Sequence, residues 1–169
     1  MKKIGTTILI PLFSFSLLAC TSVISKEIRD EALTGLSLQE VKKNPGRYQG
    51  ITVIWGGTIL QNRQEEEGYL LEILYEPING AGRPYRPGGQ GDRQDRLARF
   101  YVLLTPTMDP MLFERGVEIT VAGKIVGEKR LSSEECDLSY PLLRAREIHV
   151  WQPRRMPDVH LGIGFGITF

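Results

Sequence analysis

ITVIWGGTIL, Ile51 to Leu60, is dense in β-branched and aromatic residues and carries two adjacent glycines in its middle. Ile, Val, Thr and Trp fit a pleated, half-buried surface, so the stretch reads as a strand. A glycine pair inside a strand weakens it unless a bulge, a tight bend or a close backbone approach needs the space. Gly56 and Gly57 therefore predict a sharply bent strand, as at the corner of a barrel. VEITVAGKIV, Val117 to Val126, repeats the theme with Gly123 in mid-strand. Its alternation places Val117, Ile119, Val121 and Ile125 on one face, and Glu118, Thr120 and Lys124 on an opposite face expected to tolerate substitution.

Three more segments have strand character: YLLEILYE (Tyr69 to Glu76), RFYVLLT (Arg99 to Thr105) and LLRAREIHVW (Leu142 to Trp151). Between the third and fourth strands, PTMDPMLFERG reads as a connector with one helical turn, Pro110 to Arg115. Five strands, glycine-bent at the first and fourth, with a helical connector between the third and fourth, describe an all-β, five-stranded OB-like barrel of the oligonucleotide/oligosaccharide-binding type. A sandwich of similar strand number is the competing architecture. Closure favours the barrel because it leaves few edges to template aggregation.

On the N-terminal side, Ser37 followed by Glu40 forms a capping box, and Asn44-Pro45-Gly46 stops the helix at once, which predicts a short helix from Leu38 to Lys43. Residues 20–36 mix single apolar residues with charges and read as a tether of limited order. Ahead of them, MKKIGTTILIPLFSFSLLAC has Lys2 and Lys3 before an uncharged apolar run from Ile4 to Ala19, the plan of a signal peptide. The run is interrupted by Pro11 and falls short of the roughly 20 apolar residues that span a bilayer. Leu17-Leu18-Ala19-Cys20 resembles the lipobox of bacterial lipoproteins, in which the thiol is acylated and the preceding peptide bond cleaved. The expected organisation is a leader at 1–19, a tether lipidated on Cys20 at 20–36, a barrel domain at 37–152 and a tail at 153–169.

The chain has 169 residues, and about 150 remain without the leader, which suits one domain with a sizeable core. Lys2 and Lys3 depart with the leader, leaving 19 of the 21 basic side chains against 20 acidic ones, a formal charge of −1. No nucleic-acid partner is expected from such a balance. With Cys20 consumed by lipid, Cys136 has no partner within the chain and is expected either to be buried or to pair with another chain. The polar insertion around Cys136 reads as a loop before the last strand.

Catalytic constellations are scarce. His149 and His160 are the only near-neutral acid–base groups, and His149 in EIHVW reads as a surface or barrel-end residue. Ser132 and Ser133 lack a nucleophile motif, and Ser132 reads as a turn or cap residue. Asp92, Asp95 and Asp158 lack metal-ligand spacing. No catalytic residue, metal or cofactor is expected.

The loop from Pro77 to Arg99 is rich in Gly and Pro and holds Arg83, Arg86, Arg93, Arg96 and Arg99, with Tyr85 among them. Arginine holds phosphate or carboxylate through paired hydrogen bonds. Arg83, Arg86, Arg93 and Arg96 are thus candidate contacts for lipopolysaccharide, anionic lipid or peptidoglycan, or else belong to a solvated connector. The tail HLGIGFGITF, His160 to Phe169, alternates apolar residues mostly with Gly. It is an extra strand on the domain, a membrane-surface contact, or an edge offered to another envelope protein.

The lipobox, NPGRYQGITVIWGGTI (Asn44 to Ile59), FYVLLTPTMDPMLFERGVEITVAGKIVGEK (Phe100 to Lys129) and YPLLRAREIHVWQ (Tyr140 to Gln152) resemble the Slp family of outer-membrane lipoproteins. The resemblance implies a lipid-anchored protein of the outer membrane facing the periplasm, linked to starvation or envelope stress, with no established enzymatic chemistry. Thr21 after the Cys agrees, since bacterial lipoproteins retained in the inner membrane carry Asp there. The arginine loop, the Cys136 insertion and the tail depart from the family pattern.

Overall fold

The computed structural model describes residues 22–66, 68–86, 98–133 and 136–152. The leader, Cys20, Arg93, Arg96 and the tail lie outside the described residues. Five strands form a closed barrel: β1 (Thr52–Glu65), β2 (Gly68–Glu76), β3 (Arg99–Leu103), β4 (Glu118–Ser133) and β5 (Cys136–Val150). Their order around the wall is β1-β2-β3-β5-β4, every pairing antiparallel except β3 with β5. This is the OB-type barrel, and the sandwich is excluded.

β1 pairs with β4 along Thr52 to Thr58 and with β2 along Gly56 to Glu65, and the two ladders overlap at three residues. Gly56, Gly57 and Thr58 are paired simultaneously with Glu76, Tyr75 and Leu74 of β2 and with Thr120, Ile119 and Glu118 of β4. A Cβ on Gly57 would stand 2.1 Å from the Leu74 carbonyl oxygen and 2.6 Å from Ile73 Cγ2. The glycine pair thus serves backbone approach, while register shifts fall between Ile59 and Gln61 and at Gly123.

Inside the wall, Val53, Ile59, Leu71, Ile73, Phe100, Val102, Ile119, Val121, Ile125 and Leu143 are fully buried. Trp55, Tyr75 and Phe100 meet edge to face at 5.3–6.3 Å between ring centres. Helix α2 (Leu38–Lys43), started by the Ser37/Glu40 capping box, adds Leu38 and Val41 to this core. The connector between β3 and β4 keeps only a 3-10 turn, Pro110–Leu112, and contributes Phe113.

Three sequence expectations are corrected. The polar insertion is not a loop: β4 and β5 continue as a hairpin arm to the pair Ser133 and Cys136. Its β4 side reads Gly127-Glu128-Lys129-Arg130, with no apolar residue to mark a strand. Lys129 ties the arm to Glu65 of β1 at 2.7 Å, while Ser139 donates to Glu128 at 2.5 Å within it.

The tether is also ordered from Ser22 onward. Helix α1 (Lys26–Glu31) braces the barrel, with Ile24 buried and the Ser25 amide donating to both Glu147 carboxylate oxygens at 3.1 and 3.0 Å. Farther on, Thr52 Oγ1 donates to Glu31 at 3.1 Å, and Arg146 pairs with the same carboxylate.

The outer face of β4 is not freely substitutable either, since Thr120 and Ala122 are fully buried and Glu118 is ion-paired. Period-two alternation says which face meets the core but cannot say what lies on the other face.

Gly57→Ala is expected to lower stability by about 1–3 kcal/mol or more, because neighbouring backbone must move to admit the methyl group. Gly80→Ala, with nothing within 4 Å of the new Cβ, should stay within about 0.5 kcal/mol. Urea midpoints of the two variants check the contrast.

Candidate functional site

Residues Pro77 to Arg86 fold back over the outside of Gly56, where a Cβ would meet Ile78 Cγ2 at 2.5 Å and Pro84 Cγ at 3.0 Å. Asn79 builds the turn: its side-chain oxygen accepts from the amides of Ala81 and Arg83 at 2.9 and 3.0 Å. Gly82 adopts φ +81°, a conformation open to glycine, and its carbonyl accepts from Thr120 Oγ1 at 2.5 Å. Trp151 Nε1 donates to that same hydroxyl at 2.9 Å.

The candidate arginines are already engaged where they are described. Arg83 reaches Glu118 at 2.7 Å, donates to the Gln152 carbonyl at 3.1 Å and lies 5.2 Å from the centre of the Trp151 ring. Arg86 donates to the buried Glu76 carboxylate at 2.6 Å. These contacts clamp the loop to the wall, and they share the guanidinium donors that an anionic ligand would use. His149 packs edge to face on Trp151 at 4.5 Å, a structural contact on the wall.

In OB barrels, the outer face of the second and third strands, flanked by the β1–β2 and β4–β5 loops, is where ligands bind. Here Glu72 stands in that face with its side chain 8% exposed, holding Arg63 at 3.2 Å and Arg99 at 2.5 Å. Tyr101 lies beside them, 1% exposed, its ring edge to face with Tyr140 at 5.7 Å. Burial first, then the Glu72 carboxylate, raises the Tyr101 pKa above the ordinary phenol value.

A cleft of about 510 Å³ runs between the two hairpins, lined by Leu70, Leu103 and Leu142 and rimmed by Glu65, Glu66 and Lys129. A larger cleft of about 700 Å³ sits under the 110–112 turn against Asn62, Glu72 and Arg99. Base stacking needs an open aromatic face, whereas Tyr101 is folded into the wall. Among the described residues there is no cluster of three metal-ligating side chains, and no helix is long and apolar enough to cross a membrane.

Sequence reasoning missed the Glu72–Arg63–Arg99 group, the Thr120–Trp151–Arg83 clamp and the brace. The one available signal was Glu72 itself, a charge at an outer-face position within YLLEILYE. Its partners lie 9 and 27 residues away, beyond any local pattern.

A five-stranded OB-type barrel whose wall charges are committed to one another is the class of protein that this geometry defines. The model of the Outer membrane lipoprotein Slp family matches residues 17–163, and the chain belongs to that family. No curated protein matches the chain. Among solved structures, the mitochondrial single-stranded DNA binding protein Rim1 from S. cerevisiae is 8% identical, with a TM-score of 0.36, covering 59% of this chain and 92% of its own. The small single-stranded DNA-binding protein from Streptomyces coelicolor is 14% identical, with a TM-score of 0.39 and coverages of 60% and 94%. Similarity this low carries nothing about ligands.

Two predictions follow from the wall. Tyr101 Oη is buried with no hydrogen-bond partner among the described residues, an arrangement that generally costs about 1–3 kcal/mol. Tyr101→Phe should therefore leave stability unchanged or raise it, and a lowered urea midpoint would reveal a partner for the hydroxyl.

The second concerns acid. Hydrogen bonds from Arg146 and then Thr52 hold the Glu31 carboxyl below the ordinary glutamate range, with Lys124 adding attraction. A depressed folded-state pKa contributes stability above the unfolded value and loses it as pH falls through the folded value. Hydrogen-exchange protection across residues 28–32 should hold from neutrality down to the ordinary glutamate range and fall only below it. Arg146→Gln should move that loss to higher pH.

Proposed function

We propose that the chain is a non-enzymatic envelope protein, anchored in the outer membrane through acylated Cys20 with its barrel in the periplasm, that contributes to envelope maintenance under starvation or acid stress. The observation that carries this reading is the family match, which begins at Leu17 and so includes the whole Leu-Leu-Ala-Cys string. Each buried methylene of an acyl chain adds about 0.8 kcal/mol, and one chain alone anchors only marginally. A multiply acylated Cys20 therefore suffices without a membrane-spanning segment.

Three carboxylates bear on how the fold responds to acid. Glu31, Glu40 and Glu128 are all held below the ordinary carboxylate range by hydrogen bonds, from Arg146, the Ser37 backbone and Ser139 respectively. These contacts join the brace, start α2 and secure the hairpin arm, and the stability each contributes persists through the ordinary glutamate range and is lost only as the pH falls below it. Capture of an anionic glycan or lipid headgroup by Arg83, Arg86, Arg93 and Arg96 is not favoured, because the first two already hold carboxylates.

Cys20→Ser is expected to move the protein from the outer-membrane fraction to the soluble periplasm. Intact-mass measurement of the wild-type chain should show acyl mass on Cys20. A soluble wild-type chain with an unmodified Cys20 would sink the proposal.

A further inference from the structure

The geometry points to a fixed orientation on the bilayer: the outer face carrying the 78–86 loop and the start of the brace rests on the leaflet in which Cys20 is anchored, and the β2–β3 face looks away from it. This rests on acylation of Cys20. Very little chain separates the anchor from the first docked residues. Ile24 is 2% exposed, and the Ser25 amide is held by Glu147. Val23 fits against Gly82 so closely that a Cβ there would lie 2.9 Å from Val23 Cγ2. Ser22 is thus the last residue before the docked segment, two peptide units from Cys20.

Consecutive Cα atoms are 3.8 Å apart, so the Cys20 Cα lies at most about 7.6 Å from that of Ser22. A folded domain of about 100 residues has a radius of gyration near 13 Å. A tether shorter than that radius cannot let the body turn over. The leaflet must meet the surface beside Ser22.

The chemistry of that surface fits a phospholipid headgroup layer. Ser22 and Val23 share a cleft with Ile54, Ile78 and the turn from Asn79 to Gly82. The tip of the turn, Asn79-Gly80-Ala81, is exposed and uncharged. Tyr85 is 41% exposed, and tyrosine favours the interface, where its ring is apolar and its hydroxyl wet. The acidic groups nearest the loop, Glu76 and Glu118, are neutralised by Arg86 and Arg83. On the brace, Lys26 offsets Asp30 and Arg146 offsets Glu31, Glu147 is turned onto the Ser25 amide, and Glu27 is an exposed acid on the helix beyond the loop. No net negative charge at the tip opposes an anionic leaflet.

Strand order fixes what faces away. The brace and loop cover β1, β4, part of β5 and the end of β2 at Glu76, and in the closed order β1-β2-β3-β5-β4 it is β3 that lies across the barrel from the β1–β4 seam. The cleft between Glu65 and Lys129 is therefore presented away from the bilayer.

The test uses the full acylated protein in phosphatidylethanolamine/phosphatidylglycerol vesicles, with Cys136→Ser to remove the other thiol. A fluorophore is placed at Ala81→Cys or, on the β1–β2 hairpin, at Glu66→Cys, and quenched by a nitroxide carried on the lipid headgroup. Quenching at position 81 should exceed that at position 66 several-fold. A Gly/Ser insert of about 20 residues between Thr21 and Ser22, with a root-mean-square span near 25 Å, should abolish the difference while the protein still floats with the vesicles. Equal quenching at the two positions without the insert overturns the orientation, including the case of a protein partner on that face holding both labels away from lipid. A contrast that survives the insert overturns the short tether as its cause. Failure to float, with no acyl mass on Cys20, overturns the anchoring reading itself and is distinguished from the others by that mass.

Discussion

Two hydrogen-bond ladders share Gly56, Gly57 and Thr58, and the rest of the molecule is arranged around that sharing. The barrel closes because β1 gives its first half, Thr52 to Thr58, to β4 and its second half, Gly56 to Glu65, to β2, and so must bend where the two ladders overlap. Side chains there would push the neighbouring backbone away, as the 2.1 Å separation between a Gly57 Cβ and the Leu74 carbonyl makes plain. The same absence of side chains opens a hollow on the outside of Gly56, which Ile78 and Pro84 fill. The loop is thereby seated where Arg83 meets Glu118 and Trp151, and where Gly82 meets Val23 of the brace. Barrel closure, loop docking and brace docking thus depend on one pair of glycines.

What was legible in the sequence was whatever the core dictates. Ile119, Val121 and Ile125 alternate because each must face the barrel interior, and the capping box at Ser37 and Glu40 is visible because its partners are three residues apart. The hairpin arm from Val126 to Leu142 was not legible, because Gly127 to Arg130 include no apolar residue and the contacts that dock the arm, Lys129 to Glu65 and Tyr140 to Tyr101, join residues far apart in the chain. Nor was the burial of Thr120, since its cover comes from Gly82 and Trp151, 38 and 31 residues away. At the candidate site, the arginines were visible as composition but their carboxylate partners were not. The reading of Arg83 as a ligand contact and its engagement by Glu118 differ only in a contact 35 residues distant.

The ion pairs on the wall serve placement more than stability. Exposed pairs contribute about 0–1 kcal/mol each, whereas a fully buried Val, Leu, Ile or Phe contributes about 1.5–3 kcal/mol. The core therefore carries the fold. Yet three of the wall pairs join segments that the core does not itself align: Arg146 with the brace, Arg83 with the loop, Lys129 with the β1–β2 hairpin.

Division of labour between core and wall also bears on chemistry. A binding face or active site needs polar groups whose hydrogen-bonding capacity is unspent until a ligand arrives. On the β2–β3 face, Glu72 is occupied by two guanidinium groups, and Tyr101, whose hydroxyl is unpaired, is closed off from solvent. Around the loop, Arg83, Arg86 and Thr120 are likewise committed within the chain. The apolar cleft between the hairpins is the opposite case, because Leu70, Leu103 and Leu142 bring no directional demand. A partner at that cleft would be recognised by shape and by the Glu65, Glu66 and Lys129 rim, which is the recognition of a surface contact and not of a reacting substrate.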